Sequence, residues 1–196
     1  VRSMEIAIRK AKEVGIGMVT VFNSNHFGAA AYYAMMALKE DMIGIAMSNA
    51  PTTMAIPGAV GRVIGNNPLA VAIPAGEEHP VVLDMAMSVV AAGKIFNAAR
   101  EGKKIPLGWV QNASGEPTED PEEFLKGGAL LPFGDYKGYG LAFVVEALSA
   151  VLAGALVTKE VRRWRVNPSA PMCVGHAFVA IDVARLFPLG MFKERM

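Results

Sequence analysis

Residues 48–67 show neither helical nor strand period, and they carry Pro51, Pro57, Gly58 and Gly61. A long loop inside a compact domain is usually functional or disordered. The pattern around it sets the fold class. Upstream, Met4, Ala7, Ile8, Ala11 and Val14 recur at helical spacing between charged residues, and Gly15 is a natural stop. Residues 16–22 read as a strand, 27–39 as a helix and 42–47 as a second strand. Downstream, residues 69–73 and 81–83 read as two strands joined by a polar turn, with no helix between them. Ser88 is placed to cap a helix running to about Arg100. A short helix is predicted over 122–126 and a long apolar one over 139–153, while 173–182 reads as a buried strand. Steady βαβ alternation is missing, so an α+β fold is predicted, a mixed β-sheet with packed helices.

Composition bounds the function classes. Hydrophobic residues make up 53% of the 196 and charged ones 19%, which excludes a disordered chain. A formal charge of +1 gives no field that would gather nucleic acid or an anionic membrane. Arg162, Arg163 and Arg165 make only a short basic cluster. Cys173 stands alone, so no internal disulfide framework exists, and a reducing, cytoplasmic setting is expected. The low charge implies that some apolar surface is covered by a partner or by further chain. The most apolar stretch, 141–157, contains Glu146, Ser149 and Gly154 and reads as a buried helix rather than a membrane span.

Several motifs are missing. No GxGxxG follows a strand, and no P-loop, HExxH, CxxC or EF-hand pattern occurs. His26, His79 and His176 lie far apart in sequence, so no metal site is expected. His26 follows Asn23, Ser24 and Asn25 at a strand-to-helix junction, where a group titrating near pH 6.5 can serve as acid or base. The plainer reading is a helix cap. His79 reads as solvated and His176 as a satisfied core histidine. Asp84 ends a strand among apolar neighbours, and either orients an imidazole or serves as a helix N-terminal anion. Lys137 lies in a glycine-rich turn before the long helix, suited to a phosphate or simply exposed.

Four segments occur in one order: 24–28 (SNHFG), 64–70 (IGNNPLA), 83–86 (LDMA) and 131–140 (LPFGDYKGYG). Together they resemble the malate/L-lactate dehydrogenase family of the second type, which includes sulfolactate and ureidoglycolate dehydrogenases and diketogulonate reductase. The resemblance runs from Val1 to about Asp182. It implies NAD- or NADP-dependent hydride transfer on small 2-hydroxy or 2-keto acids such as malate or lactate, on a non-Rossmann nucleotide-binding fold, in a homodimer. By this resemblance His26 matches an active-site position, and Asp84 an aspartate that supports a catalytic histidine. Cofactor contacts fall on Ala50, on Leu83, Asp84, Met85 and Ala86, and on Tyr136 and Lys137. Asn66 stands where relatives often carry threonine. The resemblance also implies a preceding helical region with a Ser-His-Gly motif and an arginine, and helices beyond Met196. The expected organisation is a nucleotide-binding domain over 1–182, central to a longer enzyme, and a truncated C-terminal extension over 183–196. The alternative is a cofactor-binding or dimerisation piece without turnover.

Overall fold

The computed structural model describes residues 1–164 and 166–196. Arg165 of the basic cluster lies outside the described residues. In chain order the first elements are α1 (Arg2–Val14), β1 (Ile16–Ser24), α2 (Ala30–Ala34), β2 (Met42–Ser48), β3 (Leu69–Ile73), β4 (Val81–Met85) and α3 (Ala92–Arg100). They are followed by β5 (Val110–Gln111), β6 (Pro117–Thr118), α4 (Pro121–Leu125), β7 (Ala129–Leu130), α5 (Tyr136–Glu146), β8 (Val174–Asp182), α6 (Val183–Leu186) and α7 (Leu189–Arg195).

Five strands form the main sheet in the order β1-β8-β2-β3-β4. Its ladders are all antiparallel, as are those of the small sheet β6-β5-β7. The α+β class therefore stands, but the sheet is antiparallel where a mixed one was expected. The reason lies in the connections. No helix separates β2 from β3 or β3 from β4, and a strand without a crossover helix returns alongside its neighbour in the opposite direction. The strand β8 enters last, between β1 and β2, and is buried along most of its length.

Two apolar layers cover the sheet. On one side Met4, Ala7, Ile8 and Ala11 of α1 pack with Ala30 and Ala34 of α2 against Met42, Ala46, Phe178 and Ala180. Small residues bring helix and sheet unusually close here. A Cβ on Gly17 would overlap the Ala7 carbonyl oxygen, and one on Gly44 the Ala34 carbonyl oxygen. On the other side Met47 and Ala177 of the sheet pack with Met54, Met87, Ile95, Phe124, Leu130, Ala142 and Val145.

Three local expectations change. The helix expected over 27–39 starts only at Ala30 and tightens into a 3-10 helix over Met35–Glu40. Gly28 has φ 87°, a left-handed conformation that breaks a helix, and Phe27 is drawn into a ring stack. Ser88 caps nothing: its hydroxyl donates to Val90 O, and α3 begins after Ala91 without a side-chain cap. The apolar helix α5, which continues through a π-helical turn over Ala147–Val151, is buried on one face only. Phe143, Val144, Val151 and Leu152 remain exposed, as the low charge of the chain implies. No helix among the described residues is long and apolar enough to cross a membrane.

The close approach at Gly44 yields a test. Gly44→Ala should lower unfolding stability by roughly 1–3 kcal/mol, the usual cost of overpacking. Urea denaturation reads this directly, and an unchanged midpoint contradicts the packing described.

Candidate active site

The loops at one end of the main sheet are tied together by polar side chains the core does not expose. Glu146 ends α5 with only 4% of its surface exposed. Its carboxylate accepts from Asn67 Nδ2 at 2.6 Å, from Asn49 Nδ2 at 3.4 Å and from Thr158 N at 2.8 Å. Asn67 also accepts from Ala50 N and donates to Ala142 O, each at 2.9 Å. Asn49 accepts from Gly175 N at 2.8 Å and donates to Leu156 O at 2.9 Å. A carboxylate taken out of water needs such donors. Both ends of the loop between β2 and β3 are thereby bound, one to β8 and the other to α5.

His26 sits on a loop held from both sides. Asn25 Oδ1 accepts from Met172 N at 2.8 Å. Phe27 is sandwiched between His176, at 4.3 Å with 8° between ring planes, and Tyr33, at 4.9 Å and 9°. Tyr33 donates its hydroxyl to Phe27 O at 2.7 Å. Gly28 N donates to His26 Nδ1 at 3.1 Å. An Nδ1 that accepts carries no proton, so the neutral ring is the Nε2–H tautomer.

His176 is buried, as expected, but it is only half satisfied. Its Nδ1 shares a 2.8 Å hydrogen bond with Ser48 Oγ, while Nε2 has no well-formed partner among the described residues. Burial pushes its pKa down to about 4, against a smaller opposing effect of the Asn25 main chain, and the nearby His26 adds to the depression.

A cavity of about 630 Å³ opens between these loops, α3 and α4. Its wall includes His26, Ala50, Asn66, Phe96, Arg62 and Arg163. Arg62 lies over the Phe124 ring at 4.4 Å, donates from Nε to Gly128 O at 2.8 Å and from Nη2 to Phe124 O. Arg163 donates from Nη2 to Thr52 O at 2.7 Å and to Thr52 Oγ1 at 3.2 Å. Burial and then the positive charge of Arg163 lower the Arg62 pKa.

Of the residues singled out from sequence, His26 and Ala50 share this wall. Asp84, Leu83, Met85, Ala86, Tyr136 and Lys137 do not line it. Asp84 is exposed, and its Oδ2 accepts from Ala31 N at 2.9 Å, at the start of α2. That is a helix N-terminal anion, on a different helix from the one following it in the chain. Tyr136 is 67% exposed. His79 is exposed, as read. Sequence reading missed Asn49, Asn67 and Glu146 as a unit and Arg163 as a cavity residue. The available signal was a lone carboxylate inside an apolar run.

Comparison with known proteins is consistent along the whole chain. The family model described as malate/L-lactate dehydrogenase matches residues 1–196. A malate dehydrogenase of Pyrococcus horikoshii is 45% identical over 202 aligned positions, covering 100% of this chain and 55% of that protein. A (2R)-3-sulfolactate dehydrogenase (NADP(+)) of Chromohalobacter salexigens is 37% identical over 183 positions, 93% of this chain and 55% of that protein. The solved structure of a sulfolactate dehydrogenase from Methanocaldococcus jannaschii superposes with a TM-score of 0.90 at 42% identity, over 99% of this chain and 55% of that one. The chain thus spans about half the length of the curated relatives it matches.

The buried histidine sets a pH dependence. A folded pKa of about 4 against an ordinary 6.5 means that the unfolded chain binds the extra proton in between. Stability is then complete above pH 6.5 and declines as pH falls toward 4, by on the order of 3 kcal/mol. Thermal unfolding between pH 7 and 4 should show this loss, and His176→Gln should flatten it. An unchanged slope in the variant would assign the acid sensitivity to other groups.

Proposed function

This chain belongs to the malate/L-lactate dehydrogenase family, and on that premise we propose that it is the nucleotide-binding portion of an NAD- or NADP-dependent oxidoreductase. The reaction moves a hydride between the nicotinamide and a small 2-hydroxy or 2-keto acid, malate, lactate or a sulfonated analogue. The observation that carries this reading is the single cavity wall shared by His26 of the SNHFG segment and Ala50 beside the buried Asn67.

The residues present fit a dinucleotide. The cavity volume lies within the range of small-molecule sites. Its wall includes Phe96 and the start of α3 at Ala92 and Gly93, whose amides no side chain caps; such a helix start suits a phosphate. Leu83, Asp84, Met85, Ala86, Tyr136 and Lys137 remain our assignment for further cofactor contacts. Met87 links both groups to the cavity: its N–H donates to Asn66 O at 2.8 Å, and its carbonyl accepts from Phe133 N at 3.1 Å at the foot of α5. The fold does this with an antiparallel sheet and no GxGxxG, hence our non-Rossmann reading.

When bound, the nicotinamide supplies or accepts the hydride. Reduction of a keto acid builds negative charge on its oxygen, and a fixed donor aimed at that oxygen lowers the barrier. With Nδ1 occupied by the Gly28 N–H, His26 offers Nε2–H for this purpose. It polarises the carbonyl, while the proton that the oxygen finally takes comes from a second acid. By family resemblance that acid is the Ser-His-Gly histidine. In this reading Asp84 is a positioning residue: by capping α2 it fixes the segment that follows His26.

We assign residues 1–182 to the nucleotide-binding domain and 183–196 to a C-terminal extension. The apolar outer face of α5 supports a homodimer, and the single Cys173 a cytoplasmic enzyme. The half-length match to the relatives favours a second reading, a cofactor-binding or dimer-forming unit without turnover of its own. Binding of NADH without 2-keto-acid-dependent oxidation would select it.

The decisive experiment is His26→Ala in the full chain. The kcat for 2-keto-acid reduction should fall about a hundredfold or more, the usual loss when one oxyanion donor is removed. His26→Gln, which keeps an N–H donor, should recover part of it. Unchanged turnover in His26→Ala removes the residue from the mechanism.

A further inference from the structure

Two guanidinium groups stand in one cavity wall with no ion-pair partner among the described residues. Arg62 and Arg163 both line the cavity and are both half-buried. Among the described residues, neither has an Asp or Glu within 4.0 Å; the ion pairs there all involve lysines on the surface. Their hydrogen bonds go to neutral oxygens: Phe124 O and Gly128 O for Arg62, Thr52 O and Oγ1 for Arg163. These bonds anchor the side chains without neutralising them. The two charges also feel each other, since Arg163 contributes to the lowered pKa of Arg62.

Like charges held together in a partly dry site cost free energy that a bound anion returns. A guanidinium presents a planar fork matched to oxyanions, and two of them suit a dianion. A 2-hydroxy acid is too small to fill a cavity of about 630 Å³. A nucleotide is not. The same wall includes the start of α3, whose amides no side chain caps, for a phosphate oxygen.

We propose that Arg62 and Arg163 form a phosphate subsite of this cavity, which holds a phosphate on the adenosine half of the bound dinucleotide. Two phosphates have this chemistry: the 2′-phosphate, present only in NADP, and the 5′-phosphate of the pyrophosphate bridge, present in both cofactors. The subsite rests on the dinucleotide reading for the identity of its ligand, not for its existence. The arginine pair recognises phosphate whether or not His26 acts on a carbonyl.

Calorimetric titration of the full chain with adenosine, 5′-AMP and 2′,5′-ADP tests this independently of turnover. If the pair holds the 2′-phosphate, 2′,5′-ADP binds at least about tenfold more tightly than 5′-AMP, as expected for charge-assisted bonds, and Arg163→Met abolishes the difference. If it holds the 5′-phosphate, 5′-AMP and 2′,5′-ADP bind alike and more tightly than adenosine, and Arg163→Met weakens both. In either case raised salt weakens the phosphate-dependent part, and Arg163→Lys, which keeps charge but not the fork, recovers some of it. Arg62→Gln repeats the measurement should Arg163→Met fail to fold. The proposal is overturned if the variants bind all three compounds as the parent does, or lose adenosine affinity to the same extent.

Discussion

A single buried carboxylate organises the cavity end of this molecule. Glu146 closes α5 inside the protein and meets the amides of Asn49 and Asn67 and the main chain of Thr158. Asn49 and Asn67 stand at the two ends of one loop and Thr158 lies beyond α5, so both ends of that loop are pinned to one group. The loop over 48–67, which has no secondary-structure period, gains its shape here. Ala50 reaches the cavity because Asn67 accepts its N–H, and Asn67 is fixed because Glu146 accepts from it. A neutral apolar residue at 146 would leave the Thr158 N–H without its acceptor and the Asn49 and Asn67 amides each with one acceptor fewer, held only by Leu156 O and Ala142 O, at the cost that lost bonds carry in a buried place.

The second constraint is how closely helices approach the sheet. Glycines at 17 and 44 let α1 and α2 lie almost on the strands, and alanines fill most of the remaining layer. Rigid backing of this kind matters for the loop that follows β1. His26 is exposed and has little packing of its own. Its position comes from its neighbours: Asn25 bound to Met172, Phe27 stacked between His176 and Tyr33, and α2 capped by Asp84. The imidazole thus inherits its position from a buried stack, and the Gly28 N–H sets its tautomer.

Local periodicity made much of the fold legible. The repeat in α1 and its stop at Gly15, the strands β2 and β3 and the buried β8 follow from apolar spacing and from glycine at a left-handed position. The resemblance of four short motifs indicated the family from Val1 to about Asp182, and the family match extends over residues 1–196. Long-range pairing was not legible. Nothing local to residues 173–182 says that they lie between β1 and β2, and the antiparallel register follows from connections rather than composition. Nor does spacing show that Asp84 reaches across 53 residues to Ala31, or that Arg62 and Arg163 meet in one wall. Glu146 was visible only as an interruption in an apolar helix. Its role depends on asparagines about 80 and 100 residues away.

The proposed cofactor site requires that the loop organised by Glu146 receive the dinucleotide. Hydrogen exchange of the full chain, followed by mass spectrometry with and without saturating NADH or NADPH, reads those backbone amides directly. Slowed exchange over residues 48–53 and 65–68, with β1 near Ile16 unaffected, is the predicted result. Identical exchange over both ends of the loop in the presence of either dinucleotide, while binding is verified in the same sample, would contradict it.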